Sequence, residues 1–345
     1  MAETTPDRKH SQSTTVTIVV PTHKRPKMLR TLLQSLRLLE YRKGWLELIV
    51  VGTQRDPGKV VVETFSPDAG FRVTYLELPD SKSTSASFKR NEGARAARAD
   101  ILAFTDDDCV VDPNWVVAGV PFFDDPAVGG VEGYVEIPEP AKPTLTSRGS
   151  RRLSLPGGYQ TCNMFFRKSV FLECGGFDPL FPYYLEDTDL AYTIKELGYR
   201  IPFATGAIVM HPVQPGQPLK LLAMAKTVER MPYLFSKHAP SNAVLRSSIK
   251  PFNRSHYVYL GLYGTATLIA LLDPLLGIKF LGVGVCMALS SHLLHDFWGL
   301  QFTLKELALT AVCQPIVPVL RVFYWLKGLL EVRLARKRTA TRAKR

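Results

Sequence analysis

Ile101-Leu102-Ala103-Phe104-Thr105-Asp106-Asp107-Asp108 decides the fold: a short apolar run delivers three consecutive carboxylates. A run of this length behind an alanine-rich helical stretch suits a buried strand. Like charges a few ångströms apart repel, so the triplet is costly unless water or a cation compensates it. One reading is a solvated turn whose last Asp caps a helix near Asn114. The other uses position: at the carboxyl end of a strand, the triplet faces the crevice where open α/β sheets bind ligands. There Mg²⁺ or Mn²⁺, hard ions that take oxygen ligands, could bind together with a diphosphate.

Working outward, the first 215 residues alternate between strand and helix patterns. Val16 to Val20 is a β-branched run ending at Pro21, and Arg25 to Leu39 places Met28, Leu29, Leu32, Leu33, Leu36 and Leu39 on helical spacing. Leu46 to Val51 and Val73 to Leu78 read as strands, and Ser85 to Arg98 as a helix. Strand, helix, strand in this order predicts an α/β doubly wound, mostly parallel sheet with flanking helices. No Walker-type loop or G-x-G-x-x-G is present, so phosphates would be held mainly through a metal and basic side chains. A second acidic cluster, Tyr184-Leu185-Glu186-Asp187-Thr188-Asp189-Leu190, opens a helical pattern that ends at Gly198. Acidic residues suit a first helical turn through the helix dipole alone. The functional alternative makes Asp187 a general base facing an acceptor hydroxyl.

Five segments together resemble family 2 glycosyltransferases of the GT-A fold, over roughly residues 16 to 240. They are Val19-Val20-Pro21-Thr22, Lys89-Arg90-Asn91-Glu92-Gly93, Phe104-Thr105-Asp106-Asp107-Asp108, Gly175-Gly176-Phe177-Asp178 and Glu186-Asp187-Thr188-Asp189-Leu190. The resemblance implies a nucleotide pocket lined by Pro21, Thr22, Lys89, Arg90 and Asn91, with Asp106 and Asp107 at the nucleotide sugar. It implies a DXD motif whose ends are Asp106 and Asp108, with Asp108 the direct ligand of Mg²⁺ or Mn²⁺. By the same resemblance Asp187 is the base, Glu186 helps orient the acceptor, and the product carries an inverted anomeric centre. Asn163, in the stretch Gly157 to Arg167, is implied beside the sugar and acceptor. His211, after the apolar run Ala207 to Met210, reads equally as a structural histidine or, by the resemblance, as the residue that completes the metal site, since imidazole beside carboxylates suits Mn²⁺. One departure stands out: Val50-Val51-Gly52-Thr53-Gln54 puts glycine where such enzymes usually carry the acidic residue that reads the base, leaving Gln54 or Asp56 to substitute. The ED motif favours a hydroxyl acceptor over a polyprenyl phosphate, which is already anionic. The lack of Q-x-x-R-W favours one sugar per encounter.

The 345 residues carry 43 Lys and Arg against 31 Asp and Glu, a net +12. Much of the excess lies after an apolar block. Against the roughly 20 residues that a spanning helix needs, Tyr257 to Gly277, Phe280 to Leu300 and Leu307 to Leu326 are candidates. Arg333, Arg336, Lys337, Arg338, Arg342, Lys344 and Arg345 follow and mark a cytoplasmic side. The expected topology has two crossings, with the third segment in the interface or re-entrant. Pro218 to His238 reads as a helix with basic and apolar faces, either a solvated helix closing the catalytic domain or an amphipathic helix at the surface of membrane lipids. Met1 to Thr15 is polar and no signal peptide, and five cysteines without close pairing suit a reducing compartment. Expected domains are a disordered 1–15, a catalytic 16–245, a membrane-associated helical 246–330 and a basic tail 331–345. The expected protein is thus a membrane-anchored, cytoplasm-facing glycosyltransferase. It takes a nucleotide-diphosphate sugar and a saccharide or lipid-linked saccharide acceptor, in cell-envelope or exopolysaccharide synthesis, and could form a homo-oligomer. A polyprenyl-phosphate glycosyltransferase, a nucleotidyltransferase and a catalytically silent membrane scaffold are the rivals. Nucleic acid is excluded as a partner, because the basic residues crowd a tail beside apolar helices instead of interleaving with exposed aromatics.

Overall fold

A computed structural model describes residues 14–80, 85–137, 156–182, 184–212, 219–296 and 304–342. By internal contacts the chain divides into two units, Met1–Pro138 with Arg151–Pro212 and Glu139–Ser150 with Val213–Arg345. The first is built on β1 (Val16–Pro21), which pairs in parallel with β2 (Leu46–Thr53) and β4 (Ile101–Phe104); β3 (Arg72–Leu78) lies outside β2. Every residue of β1, β2 and β4 is buried, as expected of strands covered on both faces. Beyond β4 the direction changes. β7 (Met164–Arg167) runs antiparallel to β4 and to β6 (Gly130–Glu136), and β8 (Phe203–Met210) with the short β5 (Val110–Val111) completes the order β3-β2-β1-β4-β7-β6-β8-β5.

Period-two alternation sends the strand side chains into two cores. Val16, Ile18 and Val20 join α1 (Pro26–Arg37), α2 (Gly58–Phe65) and α4 (Trp115–Gly119) on one face. Val19, Ile49, Leu102 and Phe104 meet α3 (Ala86–Ala96), α5 (Lys168–Glu173) and α6 (Glu186–Glu196) on the other. α1 starts at Pro26, whose missing N–H costs nothing in a first turn, and it buries Leu29, Leu32, Leu33 and Leu36. Met28, expected on that face, turns outward and is 40% exposed. Ser85 caps α3 by accepting a hydrogen bond from Phe88 N, but that helix buries Lys89, Arg90 and Asn91 as well as Ala94. A helix that turns basic and amide side chains inward needs partners for them, and these partners build the site.

Gly52 has a steric reason. A Cβ there would overlap the hydroxyl of Tyr75, the β3 neighbour whose O–H donates to Thr53 O at 3.1 Å. Gly52→Ala is therefore expected to cost about 1–3 kcal/mol through overpacking, read as a lower thermal midpoint. In a Tyr75→Ala background the cost should vanish; an equal penalty in both backgrounds would show that the collision is not its source.

In the second unit, the helix expected from Pro218 to His238 is two short helices, α7 (Lys220–Ala225) and α8 (Met231–Lys237), joined by a 3₁₀ segment over Lys226–Arg230. Pro232 supplies the break, since it removes a donor and tolerates only a first turn. Pro218 lies outside the described residues, as do 1–13, Lys344 and Arg345. After α9 (Asn242–Ser248), the apolar stretch at 257–277 is divided: α10 (Arg254–Leu272) stops at Asp273, and α11 (Pro274–Asp296) begins with the proline. Asp273 Oδ1 accepts from Leu275 N and Leu276 N, both at 3.0 Å. Around this turn Leu271, Leu272 and Ile278 stand in solvent, Leu272 at 91%.

The third apolar segment lies inside α12 (Leu304–Arg342), a continuous helix despite Pro315 and Pro318. Of the tail expected as a separate piece, 331–342 continue that helix. Lys327 reaches Glu229 at 2.8 Å, Arg230 reaches Glu331 at 2.9 Å, and Tyr263 Oη donates to Pro315 O at 2.6 Å. Among the described residues, one helix is long and apolar enough to cross a membrane, Leu304–Ala335. This is the segment that the sequence placed in the interface or made re-entrant.

Candidate active site

β1 and β4 are register neighbours, Val19 opposite Phe104, so the loops leaving their carboxyl ends lie side by side. This brings Thr22 to the acidic triplet. Thr22 Oγ1 donates to Asp107 Oδ2 at 2.8 Å, and Arg25 Nη1 donates to Asp107 Oδ1 at 3.3 Å and to Asp108 Oδ2 at 2.9 Å. Burial pushes the Asp107 carboxyl up to about 6 against the pull of Thr22 and Arg25. The three carboxylates do not act as one cluster, because Asp106 turns the other way, to a salt bridge with Arg90.

Arg90 joins the two acidic motifs. Its guanidinium is 5% exposed, bonds Asp106 and lies 3.8 Å from Glu186 Oε1 at the start of α6. Among the described residues, Arg90 Nε and Glu186 Oε2 are buried with no hydrogen-bond partner. Leu185, just before α6, has φ +71, a strained conformation for a branched side chain, and it gives the helix no side-chain cap. Asp187 Oδ1 accepts from Thr188 N at 2.7 Å. The residue keeps partial exposure, but its carboxyl group is enclosed: burial first, then the neighbouring Glu186 charge, pushes it up to about 7. Glu186 is raised by burial too, with Arg90 opposing.

On the far side of Asp108, His211 Nε2 lies 3.8 Å from Asp108 Oδ1, and donor atoms of Asp108, Cys109 and His211 fall within 4.8 Å of one another. With its proton on Nδ1, the imidazole donates to Pro212 O at 3.0 Å, leaving Nε2 as an acceptor. Carboxylate oxygen with imidazole nitrogen fits a divalent ion such as Mn²⁺. Cys109 fits less well: a hydrogen bond with Cys162, then burial, holds its thiol protonated. Asp106, expected as a ligand with them, forms its salt bridge with Arg90.

Three residues expected at the nucleotide sugar are buried and bonded within the protein. Lys89, 1% exposed, donates to Thr22 O. Asn91 ties itself to both backbone groups of Phe177 at 2.8 Å, and Gly176, at φ +73, leaves the room that its amide needs. Asn163 is wholly buried: it donates to Tyr134 O and Ala207 O and accepts from Trp115 Nε1, so its hydrogen bonds are spent within the protein. Lys89 and Asn91 thus hold loops through backbone contacts, whereas Asn163 ties β6, β8 and α4 together. Of the two substitutes considered for the base-reading acid, Gln54 is exposed, whereas Asp56 is buried and accepts from Lys24 N and Gly58 N at 2.8 Å. Asp56 is thereby a loop staple. Arg25 was not singled out from the sequence; its only signal was a cation in the loop that ends β1.

The model of the glycosyltransferase-like family 2 matches residues 13–230. Glycosyltransferase AglE of Haloferax volcanii is 26% identical over 217 residues, which cover 59% of this chain and 69% of AglE. Probable glycosyltransferase YdaM of Bacillus subtilis is 26% identical over 215 residues, 56% of this chain and about half of YdaM, 49%. Among solved structures, the mannosyltransferase PcManGT of Pyrobaculum calidifontis, in complex with GDP-Man and Mn²⁺, superposes with a TM-score of 0.60 at 16% identity over 94% of this chain and 90% of that one. S. aureus TarS 1–349 gives 0.51 at 14% identity, over 93% and 92%. At such identities these structures speak for the fold, which is of the GT-A kind. The family match takes in both acidic motifs and the arginine between them, and the chain accordingly belongs to the glycosyltransferase-like family 2 as a glycosyltransferase.

Proposed function

We propose that the protein transfers one sugar, with inversion, from a nucleotide-diphosphate sugar to a hydroxyl of a glycan or lipid-linked saccharide. The observation that carries this is the chain Asp106–Arg90–Glu186, centred on a buried guanidinium, which joins the triplet at the end of β4 to Asp187 at the start of α6. A donor bound against one motif would present its anomeric carbon to an acceptor at the other. Asp187, pushed up to about 7, has the basicity to take the acceptor's proton as the new bond forms, while the nucleoside diphosphate leaves. Glu186 Oε2 has acceptor capacity left to hold that hydroxyl in line. Asp108 and His211 would hold a divalent ion, whose chemistry is to neutralise charge on the departing diphosphate. The GDP-Man and Mn²⁺ of PcManGT, and the UDP-GlcNAc bound by TarS in another structure, support a donor of this class. The apolar helix Leu304–Ala335 and the basic residues at its end support a membrane-held enzyme with its catalytic unit on the cytoplasmic side.

The test is donor hydrolysis by the full chain across nucleotide sugars, GDP-mannose and UDP-GlcNAc among them, with and without Mn²⁺. One donor should be hydrolysed in an ion-dependent manner. Equal silence toward all would favour the scaffold; with the donor known, transfer to dolichyl phosphate but to no hydroxyl would favour the polyprenyl-phosphate reading.

A further inference from the structure

Arg25 sits in the loop between β1 and α1, one residue before the helix-opening Pro26. Its side chain is 50% exposed, whereas the Asp107 and Asp108 side chains it bonds are each 6% exposed. A long cation at the rim thus closes over two carboxylates sunk in the crevice. Asp107 also has Thr22 and the His23 amide N–H on its Oδ2. At Asp108 the Arg25 guanidinium is the nearest full positive charge, 2.9 Å from Oδ2, and Asp108 is the carboxylate that also faces His211.

We propose that Arg25 is the built-in counter-cation of the Asp107–Asp108 pair and trades places with the divalent ion, turning its guanidinium onto the donor's diphosphate. This rests on the reading above that the site takes a nucleotide-diphosphate sugar with a divalent ion. Three observations carry it. The carboxylate that would ligate the ion is the one Arg25 neutralises, and two cations cannot share it without repulsion. Arg25 is the partner able to move, being rim-exposed on a flexible stem, whereas the carboxylates are enclosed. Both of its bonds use Nη1, and among the described residues Nε and Nη2 carry none, so a planar pair of N–H groups is left for phosphate oxygens. The exchange makes ion and nucleotide binding cooperative, since the ion must expel Arg25 and the nucleotide gives it somewhere to go.

Mn²⁺ binding to the full chain, followed by electron paramagnetic resonance of the free ion, reads this without turnover. UDP and GDP serve as the nucleotide probes. Without nucleotide, Arg25→Gln should bind Mn²⁺ about two- to fivefold more tightly than the wild type, the order expected from removing a competing, half-exposed charge. In the wild type, the nucleotide should tighten Mn²⁺ binding by roughly fivefold or more, and this gain should fall toward one in Arg25→Gln. Arg25→Lys keeps the charge but not the fork, so it should bind the free ion as weakly as wild type and lose part of the nucleotide gain. Mn²⁺ affinity in Arg25→Gln that equals or falls below wild type overturns the exchange while leaving the donor reading intact. A wild-type chain that binds neither Mn²⁺ nor either nucleotide overturns both.

Discussion

Asp187→Asn is expected to lower kcat by about 10²–10⁴-fold, the range a positioned general base contributes, while donor KM stays near wild type. The amide keeps the shape and the turn that Thr188 N makes with Oδ1, but it cannot take a proton. The pH dependence follows from the same group. A carboxyl pushed up to about 7 is protonated, and idle as a base, below that pH, so kcat should rise about tenfold per pH unit up to near 7 and level off above it. Because Glu186 contributes to the rise, Glu186→Gln should move the break to lower pH. Stability runs in the opposite sense. Folding holds on this carboxyl a proton that the unfolded chain releases near the ordinary Asp value of 3.8. Its favourable contribution is complete below that value and is lost as pH climbs toward 7. Asp187→Asn should therefore flatten a decline in thermal midpoint between about pH 4 and 7. Transfer that persists in this variant with an unchanged profile would remove Asp187 from the chemistry.

Arg90→Met should be the most damaging single change to the folded chain, costing about 3–5 kcal/mol, because removing one partner of a buried ion pair strands the other. Asp106 would lose its salt bridge and Glu186 its compensating charge together. Arg90→Lys keeps a charge but not two reaching arms, so it should recover part of the stability. A readout beyond stability separates positioning from mere packing: the Arg90 charge holds both Glu186 and Asp187 down, so the pH break should move upward in Arg90→Met and by less in Arg90→Lys. A thermal midpoint in Arg90→Met equal to wild type would show that the ion pair does not join the motifs.

The strands around the site were legible because buried parallel strands must be continuous apolar runs, and β1, β2 and β4 stand where those runs stand. The antiparallel β7 was less so: its four residues are apolar, but nothing in Met164–Arg167 announces a direction, which is set by pairing with Phe104 and Ala103. Gly52 read as a missing acid; in space it is room for Tyr75. The family resemblance puts Lys89, Asn91 and Asn163 at the nucleotide sugar. Here their partners are backbone groups of distant segments, which sequence proximity does not reveal.

What the sequence determined alone was the order of strands and helices, the family and the two acidic motifs, since hydrophobic period and residue type are local properties. Only the tertiary structure decided what each carboxylate does. Three successive aspartates find different partners: Asp106 finds Arg90, Asp107 finds Thr22 and Arg25, and Asp108 finds Arg25 and His211. The reason is physical. The charge state of a carboxylate depends on burial and on whichever cation lies within a few ångströms, and those neighbours come from β1, α3 and the end of β8, brought together only when the sheet forms.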